Sequence, residues 1–202
     1  MRRAELKARA KAQLGGQIFA NQWMMALALC LINAALTTLA GIVVPGIGAL
    51  IITGPLTISL YGSFVAQTRY ARQMQVEDLF AAFRRDFGGS FLLALMQAIF
   101  TFLWSLLFIV PGIIKSYAYS MSMYIKSDHP DYDWKVCLDA SQQLMKGNKG
   151  RLFVLDLSFI GWYFVGALIL GVGTLWVAPY HQATRAQFYE DLVSRYEYGG
   201  NI

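Results

Sequence analysis

The chain has 202 residues, and its composition excludes both a disordered segment and an ordinary water-soluble enzyme. Hydrophobic residues make up 56% of the sequence and charged residues 14%, against roughly 45–50% and about 25% in soluble domains. The formal net charge is +5, and no Lys, Arg, Asp or Glu occurs in 12–68, 87–114 or 157–184. One bilayer crossing needs about 20 apolar residues. The sequence therefore predicts an all-α, multi-pass membrane protein that forms a single domain over residues 1–202.

The first of these uncharged windows is too long for one crossing. As a helix, residues 12–68 would extend about 85 Å, against a hydrocarbon core of about 30 Å. The window contains Pro45 followed by Gly46, and this pair is typical of a tight turn. We therefore predict two spans joined by a turn at this point.

The distribution of Lys and Arg favours six crossings over four. The basic residues number five in 1–11, four in 69–85, six in 115–151 and two in 185–195. With four crossings the third group would lie outside, whereas short cytoplasmic loops collect positive charge. We therefore predict six transmembrane helices arranged as three hairpins, with both termini cytoplasmic. The predicted spans are 18–43, 47–68, 90–110, 113–127, 152–171 and 174–195.

The fourth and sixth predicted spans are more polar than the others. The fourth is rich in Tyr, Ser and Met, and the sixth carries Arg185 well before its end. We expect their polar faces to point toward the bundle interior, and Lys126 and Arg185 to reach the inner headgroups.

Three short segments between the spans have amphipathic patterns. They cover 3–14, 76–86 and 133–147, and we expect helices on the cytoplasmic surface. The basic residues of the first segment suit a bilayer whose inner leaflet carries anionic lipids. The 17 basic residues are spread over four segments beside 12 acidic ones, which is ordinary membrane topology, so we expect no nucleic-acid partner.

A weak threefold pattern links these segments to the spans. A leucine lies nine residues before a glycine in each segment, and an apolar span begins a few residues later. The pattern fits either a structural repeat or the plain recurrence of an amphipathic helix, a break and a hairpin. The three pairs are Leu6 and Gly15, Leu79 and Gly88, and Leu138 and Gly147.

The sequence offers no recognisable catalytic or metal-binding motif. It has two histidines and two cysteines, and none has metal-ligand spacing. Phosphate-binding loops and the motifs of serine hydrolases and zinc proteases are missing from the sequence. We therefore expect no enzyme activity, no catalytic residue, no metal and no cofactor.

Three ionisable residues lie inside apolar stretches, namely Lys115, Asp156 and His181. A charge in a membrane is costly and invites a functional interpretation. We expect each to be a packed or interfacial polar group, with Lys115 reaching the outer headgroups. Together with Tyr117 and Tyr119, they are the candidate binding residues of the chain.

Asp156 needs a partner, because an isolated buried carboxylate would be neutralised. The basic residues at a suitable depth are Arg151, Lys126 and Arg185, and the sequence leaves the choice among them open.

Several segments resemble the bacterial domain-of-unknown-function 975 family of integral membrane proteins. They include LDLSFIGW at 155–162, GVGTLW at 171–176 and FYEDL at 188–192, with further likeness at 3–7, 102–107, 110–115 and 145–147. The resemblance implies a protein of the bacterial cytoplasmic membrane, and it implies neither catalytic residues nor a substrate.

Three functions remain open from the sequence. The first is a non-enzymatic scaffold or accessory of a transport or envelope complex, with a membrane-protein partner or a homo-oligomer. The second is a small transporter or lipid-handling protein with a polar path along the fourth and sixth helices, and the third is an intramembrane enzyme. A water-filled cavity lined by Tyr117, Tyr119, Asp156 and His181 would favour transport, whereas a dry bundle would favour the scaffold.

Overall fold

The computed structural model describes residues 2–16, 20–43, 49–107, 109–168 and 172–198, and within these ranges the regular structure is entirely helical. The predicted turns at Pro45 and Gly171 lie outside the described residues. A short 3₁₀ helix, Val76–Phe80, runs directly into α4, and together they form the 3₁₀–α4 segment. The α-helices are α1 (Arg3–Gln13), α2 (Asn21–Val43), α3 (Ala49–Tyr70), α4 (Ala81–Arg85), α5 (Phe87–Leu107), α6 (Ile109–Tyr119), α7 (Ser122–Asp128), α8 (Trp134–Leu144), α9 (Lys149–Leu168) and α10 (Val172–Tyr198).

Four of these helices are long and apolar enough to cross a membrane: α2, α3, α5 and α9. Large apolar side chains remain exposed on them, including Ile42, Leu106 and Phe164. Apolar surface of this extent favours lipid over water as the surroundings. The expected all-helical architecture is confirmed, and its long apolar helices are compatible with a membrane protein.

The fourth predicted span, 113–127, is divided in the structure. It begins earlier, at Ile109, and it is interrupted between α6 and α7. The hydroxyl of Ser141 on α8 donates to the carbonyl of Ala118 (2.7 Å) and accepts from the Met121 N–H (3.2 Å). Two backbone groups at the interruption are therefore satisfied inside the protein.

Pro111 lies between the predicted spans 90–110 and 113–127, but in the structure it is inside a helix. Pro111 and Gly112 belong to the first turn of α6, where a proline is tolerated because its missing N–H has no helical partner. A Cβ on Gly112 would lie 2.7 Å from the Cα of Ser105, so a side chain at this position would collide with α5.

The three amphipathic segments are helical, and their apolar faces pack on the bundle. The three repeat leucines, Leu6, Leu79 and Leu138, are 1%, 0% and 3% exposed. Gly15 and Gly147 have φ of 95° and 75°, a conformation that favours glycine at a helix end. The third glycine, Gly88, lies inside α5, and the break there is at Asp86.

The helix contacts follow a cyclic order of three units. We define unit 1 as α1–α3, unit 2 as the 3₁₀–α4 segment through α7, and unit 3 as α8–α10. The first segment of each unit contacts the last helix of the preceding unit: the 3₁₀ helix on α3, α8 on α7, and α1 on α10. Likewise α5 contacts α3, α9 contacts α6, and α2 contacts α10. Unit 1 therefore closes onto unit 3.

Candidate functional site

Asp156 of α9 is the centre of a polar cluster between α6, α9 and α10. Its Oδ1 lies 2.9 Å from Nε2 of His181 and accepts from Nε of Arg185 at 3.1 Å. Its Oδ2 accepts from Nη2 of Arg185 at 2.5 Å and from the Tyr117 hydroxyl at 3.2 Å. We call Tyr117, Asp156, His181 and Arg185 the Asp156 cluster. Tyr163 extends it, since its hydroxyl lies 3.3 Å from Nδ1 of His181.

Helical spacing explains why these groups meet. His181 and Arg185 are four residues apart on α10, so they share one face of that helix. That face meets α9, where the Phe159 ring stacks on the His181 ring with centroids 4.5 Å apart. The Asp156 side chain is 14% exposed, and the guanidinium beside it compensates its charge.

Two cavities border the Asp156 cluster. The α3–α6 cavity has a volume of approximately 370 Å³ and is lined by Thr57, Tyr61, Gln97, Ser116, Tyr117, Ser120, Met123 and Arg185. The α6–α9 cavity has a volume of approximately 280 Å³ and is lined by Tyr117, Phe153, Asp156, Leu157, Ile160, Tyr163, His181 and Arg185. Tyr117 and Arg185 line both cavities.

Two of the predicted site residues lie elsewhere. Lys115 donates to Oε1 of Gln142 on α8 (3.1 Å) and sits 4.9 Å from the Trp104 ring centroid. The expectation that Lys115 reaches the outer headgroups stays a prediction. Tyr119 is 6% exposed, and its ring centroid lies 5.8 Å from the Lys115 ammonium. It does not line either cavity of the Asp156 cluster.

Lys126 does not reach the headgroups as predicted. Its side chain is 2% exposed, and its ammonium donates to Oδ2 of Asp86 (2.5 Å) and to the carbonyls of Pro130 and Tyr132 (2.7 Å each). Burial raises the pKa of Asp86, but the hydrogen bonds from Lys126 and from the Gly89 N–H outweigh it and hold that pKa below its usual range. Lys126 thus ties α7 to the start of α5.

Two donor groups of Arg185, Nε and Nη2, bind Asp156. Of the three partners considered for Asp156, Arg151 instead pairs with Asp191 at 2.9 Å. Arg185 is therefore the basic partner of Asp156.

Residues 108–196 match the model of a family described as a protein of unknown function, DUF975. This part of the chain, which we call the DUF975 segment, is similar to that family. No curated protein and no solved structure matches the chain. The DUF975 segment contains all four residues of the Asp156 cluster. Part of the wall of the α3–α6 cavity, Thr57, Tyr61 and Gln97, comes from helices outside the matched residues.

A second charged cluster joins the DUF975 segment to the rest of the bundle, and the sequence reasoning missed it. Nη2 of Arg69, on α3, lies 2.9 Å from Oδ2 of Asp128 and 2.8 Å from Oε1 of Glu190. The Tyr189 hydroxyl donates to the same Asp128 oxygen at 2.8 Å. These contacts connect the ends of α3, α7 and α10. The only sequence signal was that each charge lies near the end of a span.

The two cysteines, Cys30 and Cys137, are free thiols. Cys137 is fully buried, and burial raises the pKa of its thiol to about 11. Among the described residues, no group of three or more His, Cys, Asp or Glu side chains is arranged to hold a metal ion.

Proposed function

We propose that this protein is a small transporter or lipid-handling protein with a polar path along α6 and α10. The observation that carries the proposal is the position of the Asp156 cluster on the walls of two cavities. Three of the four residues expected around such a cavity, Tyr117, Asp156 and His181, line the α6–α9 cavity. No step of this function needs a catalytic residue, so the protein acts without enzyme activity or cofactor.

The proposed setting is the bacterial cytoplasmic membrane, with six crossings in three hairpins and both termini inside. The Lys and Arg distribution supports this topology. The segment α6–α7 and helix α10 supply the two crossings beyond the four apolar helices, and their polar side chains Tyr117 and Arg185 both contact Asp156 of α9. The proposed lipid contacts of the basic segments are with anionic inner-leaflet lipids, and nucleic acid is not a partner.

Reporter fusions test the six crossings. Fusions after Asp133 and after Ile202 should both report a cytoplasmic location. An outward signal after Asp133 would instead support four crossings and contradict the proposed topology.

A second candidate is a scaffold or accessory subunit that binds another membrane protein or a second copy of itself. It is favoured by the saturation of Asp156, whose two oxygens have four polar contacts. A carboxylate with this many contacts is typical of a group that holds helices together rather than of a site that binds an ion.

Thiol accessibility distinguishes the two candidates, because a thiol reacts as the thiolate, which needs water. In a Cys30→Ala, Cys137→Ala background, Ser116→Cys places a nearly isosteric thiol on the α3–α6 cavity. Ile99→Cys is the control. Ile99 lies on an exposed face of α5, and its distance in sequence from the α5–α6 connection is similar to that of Ser116. For a hydrated cavity, we expect a membrane-impermeant methanethiosulfonate to modify Ser116→Cys at least about tenfold faster than Ile99→Cys. Equal, slow rates at both positions would mean a dry bundle and would replace transport by the scaffold role.

A further inference from the structure

The hydroxyl groups of the α3–α6 cavity present oxygen acceptors to its interior. The hydroxyls of Thr57, Ser116 and Ser120 donate their protons to backbone carbonyls three or four residues earlier, at 2.7, 2.9 and 2.8 Å. A hydroxyl has one proton and two lone pairs. The proton is used within the helix, so these oxygens are left to accept hydrogen bonds from a ligand.

Arg185 supplies hydrogen-bond donors to the same cavity. Its Nε and Nη2 are bound to Asp156, and no described residue accepts a hydrogen bond from Nη1. A guanidinium has five N–H donors in a planar fork, so it can hold Asp156 and a second acceptor at the same time. Nη1 is not among the buried polar atoms that lack a partner, so it is accessible and can donate to an oxyanion.

The other residues that line the α3–α6 cavity do not repel an anion. Within the described part of the chain, no carboxylate lines the α3–α6 cavity, and Asp156 lines only its neighbour. One atom of the Gln97 amide lies 2.6 Å from the Ser122 hydroxyl. Oε1 of this amide accepts a hydrogen bond from that hydroxyl, so its Nε2, which has no partner among the described residues, can donate to a ligand oxygen.

We infer that the α3–α6 cavity binds a hydroxylated oxyanion, with anionic oxygens on Arg185 and hydroxyl groups donating to Thr57, Ser116 and Ser120. A volume of approximately 370 Å³ is at the lower end of the roughly 300–1,000 Å³ typical of small-molecule sites. A glycerol phosphate group has the required chemistry, either as a free solute or as a lipid headgroup. This inference rests on the proposed function and names the ligand class of the same site.

Ligand-induced stabilisation of the full chain tests the inference, because a ligand that binds the folded state raises its Tm. In detergent, glycerol 1-phosphate should raise the Tm of the wild type, while glycerol alone should not. In nanodiscs, phosphatidylglycerol should raise the Tm relative to phosphatidylcholine if a lipid headgroup is bound. A response to the free compound alone identifies a soluble ligand, and a response to phosphatidylglycerol alone identifies a lipid.

Matched variants locate the binding. Ser116→Ala with Ser120→Ala removes two acceptors and leaves the contacts of Arg185 with Asp156 in place, so affinity should fall at least about tenfold. Ser105→Ala removes a hydroxyl that donates to a carbonyl of its own helix and lines neither cavity, and it should keep the wild-type affinity within about threefold. The inference is wrong if neither probe shifts the Tm of the wild type, or if the double variant binds as the wild type does.

The failure of this inference and that of the proposed function are distinguishable. Binding of glycerol 1-phosphate by a protein whose Ser116→Cys thiol is unreactive would overturn transport and leave the site standing. A reactive Ser116→Cys thiol without binding of either probe would overturn the ligand class and leave transport standing.

Discussion

At the scale of residues, the Asp156 cluster shows how a charged pair is kept within an apolar helix bundle. A charged side chain at the centre of a membrane costs about 2.5–3.5 kcal/mol on insertion scales. Asp156 and Arg185 share that cost, since the two charges lie 2.5 Å apart, and His181 and Tyr117 complete the contacts of the carboxylate. Removing either charge would leave the other unpaired.

We expect Asp156→Asn to destabilise the protein by about 3 kcal/mol, because it leaves the buried Arg185 guanidinium without a counter-charge. The measurement is thermal unfolding in detergent. Asp139→Asn is the control. Asp139 is exposed, and it accepts one long hydrogen bond of 3.4 Å from Gln142. Its replacement should therefore change the stability little.

The double variant Asp156→Asn, Arg185→Gln should lose less stability than the sum of the single variants, because each single change already breaks the same pair. Strict additivity, or a Tm unchanged by Asp156→Asn, would mean that the pair does not stabilise the fold.

The Asp86–Lys126 pair should make stability depend on pH. The pKa of Asp86 is lower in the folded protein than its usual value, so its contribution is present above that usual value, about 3.9. It is lost as the pH falls through the folded pKa. Asp86→Asn should therefore lower the Tm near neutral pH and lose less Tm than the wild type on acidification from about pH 6 to about pH 3.

The control for this pH effect is Asp131→Asn, since Asp131 is exposed in the same loop that receives Lys126. Its Tm should follow the wild type at each pH. If Asp86→Asn also follows the wild type at each pH, the pair contributes nothing to the pH dependence.

At the scale of elements, the interruption between α6 and α7 is held by a helix from the next unit. Ser141 bonds both the Ala118 carbonyl and the Met121 N–H. It is fully buried, so water cannot replace it. The position of α8 is therefore coupled to the shape of the fourth predicted span.

Ser141→Ala should lower the free energy of unfolding by about 1–3 kcal/mol, because two buried backbone groups lose their partner. Thermal unfolding in detergent gives the comparison. Ser105→Ala is the control, since Ser105 is exposed and donates only to a carbonyl of its own helix. Equal Tm values for the two variants would mean that the backbone groups find other partners.

At the scale of the whole molecule, the cyclic contacts assign equivalent positions to the three units. Leu6 is buried in the contact between units 1 and 3, and Leu79 and Leu138 occupy the corresponding segments of units 2 and 3. The threefold pattern in the sequence thus has a counterpart in the order of helix contacts.

We expect Leu6→Ala, Leu79→Ala and Leu138→Ala each to destabilise the protein by about 2–5 kcal/mol, the usual cost of truncating a buried leucine. Thermal unfolding in detergent measures the three effects. Val136→Ala on α8 is the control, since Val136 is 47% exposed. A Leu6→Ala variant as stable as the wild type would show that unit 1 does not close the ring.

The helical elements could be predicted well because they depend on local composition and period. The predicted spans 18–43 and 47–68 differ by only a few residues from α2 and α3, and the apolar period of 3–14 identified the buried face of α1. The interruption of the fourth span was not predicted, because it depends on Ser141, which lies 20 residues or more from the groups that it binds.

The sequence by itself determined that this is a chain of long apolar helices and amphipathic segments with buried leucines, since length, charge distribution and helical period carry that information. It also named Asp156, His181 and Tyr117 as unusual polar groups. Only the tertiary structure decided that Arg185 is the basic partner of Asp156, that cavities flank the pair, and that α1 closes onto α10. A helical period shows which residues share a face, but the helix that this face meets depends on packing between residues distant in sequence, such as Asp156 and Arg185, which are 29 residues apart.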